Sequence, residues 1–428
     1  MAKTDSTLDQ NMNARMPLLF AAALLTAFTV PAARAATGDW PQWRGPDRTD
    51  VSKETGLLKS WPEGGPKRVW LFDKAGLGYA GPSISGGKLV TMGLRNGVEE
   101  LIALDAGEGK ELWSVKIGEI FKNDRGDGPR GNPTIDGDRV YVLSGRGDLV
   151  CANMADGKIL WQRTMREFGG RTPNWGYSES VLVEGNLVVA TPGGAKGAVV
   201  ALDKKTGEPV WQSKDLPDEA HYASVIAVDH AGKRQLIQLT PKHVVGIAPV
   251  DGKVLWSADW PGRVAVVPTP IYHEGFVYVS AGYGVGCMLI KVAPDNSVTG
   301  VYTNKVMVNH HGGVLLLDGH LYGHSDQGGW TCQNFKTGEK VWAERSALGK
   351  GAVTCADGML YCIAENDGSV VLADASPKGW KEHGRFKLDP QTTQRSSQGK
   401  IWTHPVVTGG RLYLRDQELL SCYDVKAK

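Results

Sequence analysis

Ala201-LDKKTGEPV-Trp211 is the stretch whose reading decides the fold. An aspartate three residues before Thr-Gly marks a tight turn, because a short carboxylate caps its own backbone and glycine accepts φ > 0. The flanking apolar residues read as the two strands of a hairpin closed by that turn. Four other segments share the eleven-residue frame: Ala103-LDAGEGKEL-Trp113, Cys151-ANMADGKIL-Trp161, Gly246-IAPVDGKVL-Trp256 and Cys332-QNFKTGEKV-Trp342. The first four tryptophans are 48, 50 and 45 residues apart, and Trp256 to Trp342 is 86. That last gap holds one degenerate unit, Thr269 to Asn304. Two further units follow Trp342, one ending near Phe386 and one running towards the C-terminus.

A period of 45–50 residues signals a repeat architecture. Each unit has a short strand opened by a Pro or small residue and then a turn such as Asp136-Gly137-Asp138. An alternating strand such as Arg139 to Leu143 follows, and the Trp hairpin closes the unit. This spells a four-stranded antiparallel sheet with two faces to bury. Stacking such sheets around an axis buries both, which predicts an all-β, eight-bladed β-propeller. The inner strands are expected to open at Pro82, Pro133, Ser180, Ser224, Pro270, Val314, Val353 and Pro405. The last unit lacks a Trp strand, and Arg68 to Phe72 supplies one, so this N-terminal strand is expected to complete the last blade and close the ring. Fifty-five glycines and fourteen tryptophans among 428 residues agree with a turn-rich β protein. Forty-eight basic against 46 acidic residues, without a basic block, disfavours a nucleic-acid binder. The repeat Trp reads as a wedge between blades, beside a neighbour's Gly turn. Cys151, Cys332 and Cys422 align with Ala103, Ala201 and Gly246, so these thiols read as tight-packing residues. No C-x-x-C occurs, which leaves zinc-ribbon, thioredoxin and haem c readings without support.

At the front, Leu18 to Val30 is apolar and Ala33-Arg34-Ala35 follows, the pattern of a cleaved secretory signal. The run is short of the roughly 20 residues that span a bilayer. No Cys near the cleavage site offers a lipid anchor. The organisation expected is a signal over 1–35, an N-terminal extension over 36–66 packing across the propeller, and the propeller over 67–428. The product is expected to be exported, periplasmic or secreted, without a membrane anchor.

The frame A-x-D-x-x-T-G-x-x-x-W resembles the tryptophan-docking motif of PQQ-type propeller repeats, and the copy at 201–211 matches it in full. Such repeats occur in quinoprotein alcohol dehydrogenases and in the BamB outer-membrane assembly lipoprotein. The chain also resembles exported bacterial PQQ-like repeat proteins, through Asp39-WPQWRGP-Asp47, Gly176-YSE-Ser180, Asn309-HHG-Gly313 and Leu412-YLRD-Gln417. The dehydrogenase resemblance implies PQQ with calcium as cofactor. It is incomplete, because no two Cys are adjacent and the calcium-binding carboxylate and amide set has no match. The BamB resemblance implies an envelope protein partner, although the lipid-bearing Cys has no counterpart.

Residues that break the repeat are the candidates for function. The positions just before the inner strands read Gly81, Asn132, Glu179, Ala223, Thr269, Gly313, Ala352 and His404. Two residues earlier they read Tyr79, Arg130, Tyr177, His221, Val267, His311, Lys350 and Trp402. In register, these would ring a channel mouth with cations, imidazoles and aromatic faces. Glu179, His311 and His404 form the acid–base candidate. Arg130, Asn132, Tyr79, Tyr177, His221, Lys350 and Trp402 form the ligand-binding candidate. Arg130, Lys350 and Arg263 suit an anion, and the aromatics suit a planar ring or a sugar. On an extended chain His310 and His311 point to opposite sides, so only one is expected at the channel. Gly282-Tyr-Gly284-Val-Gly286 reads as a turn. Asp124 to Gly128 lacks calcium-loop spacing. The functions in contention are a ligand-binding or protein-interaction module, a PQQ-dependent alcohol or sugar dehydrogenase, and a lyase or hydrolase using Glu179 with His311 or His404. The partners in view are a small-molecule or glycan ligand, or an envelope protein.

Overall fold

In six blades the repeat aromatic stands directly across the sheet from the small-residue column: Trp113 faces Ala103, Trp161 faces Cys151, Trp211 faces Ala201, Trp256 faces Gly246, Trp342 faces Cys332 and Trp70 faces Cys422. A small residue there leaves room for an indole, and a register shift beside each pair twists the outer strand. The computed structural model describes residues 38–427, so the proposed signal lies outside the described residues.

Eight antiparallel sheets of four strands form the propeller. The first comprises Ser83–Ser85, Lys88–Arg95, Val98–Asp105 and Glu111–Glu119. The other inner strands are Thr134–Asp136, Leu182–Glu184, Ile226–His230, Ile271–His273, Val314–Leu317, Gly351–Ala356 and Val406–Thr408. All eight begin within two residues of the predicted openings. Arg68–Phe72 pairs antiparallel with Leu419–Asp424 and completes the eighth blade. Arg415, fully buried, clamps this closure by donating to the carbonyls of Ala80, Met92 and Gly76 in the first blade and its approach.

The core lies between the blades as eight layers. One joins Val90, Met92 and Leu101 of blade 1 to Val140, Val142 and Val150 of blade 2, and the remaining layers repeat this around the ring. Each fully buried Val, Leu or Ile contributes about 1.5–3 kcal/mol of transfer free energy, so blades cohere only as a ring.

The docking explains the motif. Asp203 Oδ1 accepts the backbone N–H groups of Lys205 and Thr206, which sets the turn. Gly207 follows at φ +73, and a Cβ there would lie 2.7 Å from the Trp161 ring of the preceding blade. Trp161 Nε1 donates to Lys204 O at 3.1 Å. The same geometry joins Trp70 to Gly109, Trp113 to Gly157 and Trp211 to Gly252. Tyr302 of the degenerate blade takes the place of Trp over Gly338 and donates to Phe335 O. Trp256 differs. Blade 5 turns through Asp295-Asn296 and offers no glycine, so Trp256 folds back over Gly246 and bonds Gln235 of its own blade.

The segment 40–52 threads the axis and touches all eight blades. Trp40 bridges Ile84, and Ile135 N–H donates to Pro41 O. Arg48 donates to Ser180 O and Val181 O of blade 3 and Val225 O of blade 4. Trp43 Nε1 donates to Thr269, and Arg44 to Val314 O. Val51–Ser52 pairs parallel with Cys355–Ala356, and Asp50 meets His404. Short inner strands expose carbonyls towards the axis, and two guanidiniums satisfy them. The segment therefore closes the channel on one side.

Candidate functional site

Above this plug lies a cavity of about 180 Å³. Its floor is Trp43 and Arg44, and its wall comes from the approaches to the inner strands. Of the sequence candidates, Tyr79, Arg130, Asn132, His311, Trp402 and His404 line it. Glu179, Tyr177, His221 and Lys350 do not, and neither does Arg263.

Each wall residue has a positional cause. Asn132 accepts Gly81 N–H through Oδ1, and its own N–H donates to Ser180 Oγ, linking three neighbouring blades. Arg130 donates to Gly128 O and Gly126 O at 2.7 Å, which holds its Cζ 5.4 Å from the Tyr79 ring centre. Tyr79 lies 4.9 Å from Trp402, and its hydroxyl donates to Arg125 O. Both ring nitrogens of His404 are engaged, Nδ1 with Asp50 at 3.2 Å and Nε2 with His311 O at 2.9 Å. Asp50 also pairs with Arg44 at 2.8 Å, both side chains being buried. His404 thus ties the plug to the ring, with no free nitrogen for proton transfer.

Glu179 sits beneath the wall, 2% exposed, with its carboxylate held by Thr191 N–H at 2.7 Å and Thr191 Oγ1 at 2.9 Å. Burial pushes it up to about 7, against the pull of Thr191 and Arg48. It neither reaches the cavity nor meets His311 or His404 in any hydrogen bond or ion pair among the described residues. Tyr177 packs on Gly147 and donates to Pro192 O. His221 Nδ1 accepts Val266 N–H, and its ring stacks on Tyr222. Lys350 is held between Asp326 at 2.6 Å and His310 Nδ1 at 2.8 Å.

The expectation for the paired histidines needs correction. Residues 311–312 form a bend rather than a strand, so His310 and His311 both line the cavity with ring centres 4.4 Å apart. Burial holds His311 well below the ordinary imidazole range. Burial, assisted by Lys350, brings His310 down to about 4. Glu365 was not singled out in the sequence. It follows the second strand of blade 7, Met359–Ala364, outside the aligned columns, yet lies 3.3 Å from His311 and accepts Trp402 Nε1. Tyr222, Trp175, Arg125 and Tyr283 also line the cavity. Arg125 comes from the Asp124–Gly128 loop and Tyr283 from the Gly282–Gly286 turn, both passed over because they match no ligand motif.

PQQ with calcium can be tested against these residues. A 150 Å³ cavity holds benzene, so about 180 Å³ suits one ring rather than a fused tricyclic tricarboxylate. Arg44 is committed to Asp50, and Arg130 gives two N–H groups to carbonyls. No Asp or Glu lines the cavity to hold a cation. Among the described residues no group of three or more His, Cys, Asp or Glu side chains is placed to bind a metal. The donor set does not fit that cofactor.

A closed ring of tryptophan-docked four-stranded blades defines the PQQ-like propellers. The family described as Outer membrane protein assembly factor BamB matches residues 97–344, more than half of the chain, and the chain belongs to that family. The BamB protein of Xanthomonas campestris is 28% identical over 156 residues, which are 35% of this chain and 34% of that protein. The chain thus spans about a third of the length of that curated relative. The BamB protein of Burkholderia pseudomallei is 27% identical over 63% of this chain and 67% of its own length. Quinohemoprotein alcohol dehydrogenase ADH IIB of Pseudomonas putida is 27% identical over 28% of this chain and 18% of its own. Among solved structures, BamB from Moraxella catarrhalis superposes with a TM-score of 0.57 at 15% identity, covering 82% of this chain and 95% of its own. The quinohemoprotein alcohol dehydrogenase of Comamonas testosteroni gives 0.60 at 13%, covering 92% and 82%. These superpositions show the shared fold.

Proposed function

We propose that this chain is an exported binding module of the cell envelope whose ligand enters the plugged channel mouth. The observation that carries this reading is the one-ended cup. Segment 40–52 closes its floor, six aromatic residues line it, and Arg125 has no hydrogen-bond or ion-pair partner for its guanidinium among the described residues. A floored apolar cavity with a few convergent polar groups is the usual form of a ligand site. The family description, an outer-membrane assembly factor, supports a place in the envelope and leaves room for a protein partner on the outer surfaces. Among the described residues no helix is long and apolar enough to cross a membrane. The dehydrogenase reading lacks a donor set for its cofactor. The lyase or hydrolase reading lacks its pair, since Glu179 lies outside the cup.

The test is a thermal-shift screen of anions, sugars and short peptides against the wild type and Trp175→Ala. A ligand that stabilises the wild type and loses its effect in the variant supports the cup. Stabilisation by no small molecule, together with capture of an envelope protein that Trp175→Ala leaves unchanged, refutes it in favour of an interaction module alone.

A further inference from the structure

We propose that the cup takes a single planar ring bearing one carboxylate, an aromatic monocarboxylate, with its charge on Arg125 and His310 and its ring among the cup aromatics. The proposal rests on the channel-mouth reading and adds the chemical class of ligand.

Four observations carry it. First, charge: the lining holds Arg44, Arg125 and Arg130, and no Asp or Glu. The nearest carboxylates are spent elsewhere, Asp50 on Arg44, Asp326 on Lys350 and Glu365 on Trp402 and His311. An anion is therefore the favoured guest.

Second, donor polarity. Lys350 has hydrogens only to donate, so the 2.8 Å contact makes His310 Nδ1 the acceptor and leaves the ring hydrogen on Nε2. Nε2 has no protein partner among the described residues, so a wall group offers an N–H to the cup. The Arg125 guanidinium adds unpaired N–H groups. The Asn132 carbonyl is taken by Gly81 and the Thr269 hydroxyl accepts from Trp43, which leaves the hydroxyls of Ser178, Tyr222 and Tyr283 as the lining's side-chain acceptors. A sugar carries several O–H donors that would compete for these three hydroxyls, at about 1–3 kcal/mol for each donor buried unpaired. A carboxylated aromatic ring carries acceptors and no such donors.

Third, size. About 180 Å³ holds one ring and a small substituent. Fourth, shape. Trp43, Tyr79, Trp175, Tyr222, Tyr283 and Trp402 surround that volume with flat faces, suited to offset or edge-on contacts with another ring.

The experiment is calorimetric titration of the full exported chain with benzoate, benzyl alcohol, glucuronate and PQQ in turn. The expected result is saturable one-to-one binding of benzoate and at least about tenfold weaker benzyl alcohol and glucuronate. Arg125→Gln should weaken benzoate at least about tenfold and leave benzyl alcohol unchanged. Arg125 is exposed on a loop, so this variant should fold, and an unaltered melting curve checks it. Benzyl alcohol binding as tightly as benzoate overturns the anionic assignment. Glucuronate binding more tightly than benzoate overturns the planar, donor-poor assignment while the cup reading survives. PQQ binding most tightly overturns the size argument. If none of the four binds and the screen with Trp175→Ala is also blank, the channel-mouth reading falls together with the proposal.

Discussion

Replacing Arg48 by Met should remove a buried link between the plug and blades 3 and 4. Its guanidinium is wholly buried and donates to Ser180 O, Val181 O and Val225 O. Methionine fills similar space and takes the guanidinium from the carbonyls of Ser180 and Val225, while Val181 O keeps the Thr134 hydroxyl. Removing one partner from a buried charged network costs about 3–5 kcal/mol. The loss should also depend on pH, because Arg48 pulls the Glu179 carboxyl down from where burial alone would set it. In the wild type that carboxyl ionises at about 7, against 4.5 for the free group. Its native pKa is raised, so the folded state binds the proton more tightly than the unfolded chain. Stability therefore falls as pH rises from 4.5 and levels off above about 7. Without Arg48 the native pKa rises further, and the fall continues at 1.36 kcal/mol per pH unit. Between about pH 5.5 and about pH 8.5 the deficit of the variant should grow by up to about 2 kcal/mol. Urea unfolding at both values, with tryptophan fluorescence and circular dichroism checked for coincidence, measures it. Adding Glu179→Gln should abolish that growth. A deficit independent of pH, or a double variant as pH-sensitive as the single one, would refute the assignment of Arg48 as the counter-charge of Glu179.

Other outcomes follow from the same geometry. Gly207→Ala forces a Cβ onto Trp161 at φ +73 and should cost about 2–4 kcal/mol in urea unfolding. Gly185→Ala, also at positive φ but with nothing within 4 Å, should cost about 1 kcal/mol. Glu99 is raised to about 7 by burial, and it accepts Gly145 and Phe121 N–H groups. Its native pKa is raised too, so Glu99→Gln should flatten part of the wild-type loss of stability between pH 4.5 and about 7, seen in a series of urea midpoints. All six cysteines are free and buried, and burial pushes Cys332 up to about 11 and Cys355 up to about 12. A thiol reagent should therefore label the native protein slowly and all six thiols in denaturant.

The sequence by itself determined the ring. Repeat spacing, the Asp-to-Gly turn and the small-residue column are local or strictly periodic, so the blade count, the inner strands and the closing role of Arg68–Phe72 could be read from it. It also placed Tyr79, Arg130, Asn132, His311, Trp402 and His404 in columns that do converge. Only the tertiary structure decided which polar residues face the cup. Glu179 and Asn132 hold the same column position, yet one turns under the wall to Thr191 and the other faces the cavity. Side-chain direction at a blade end depends on what the neighbouring blade leaves unpaired, and no period encodes that. The bend that brings His310 beside His311, and the reach of Arg125 and Tyr283 from irregular loops, lie outside the repeat altogether. The plug is the plainest case. Arg44, Arg48 and Asp50 look like ordinary surface charges in the sequence. They are buried because eight converging inner strands leave carbonyls around the axis that only a threaded segment can satisfy.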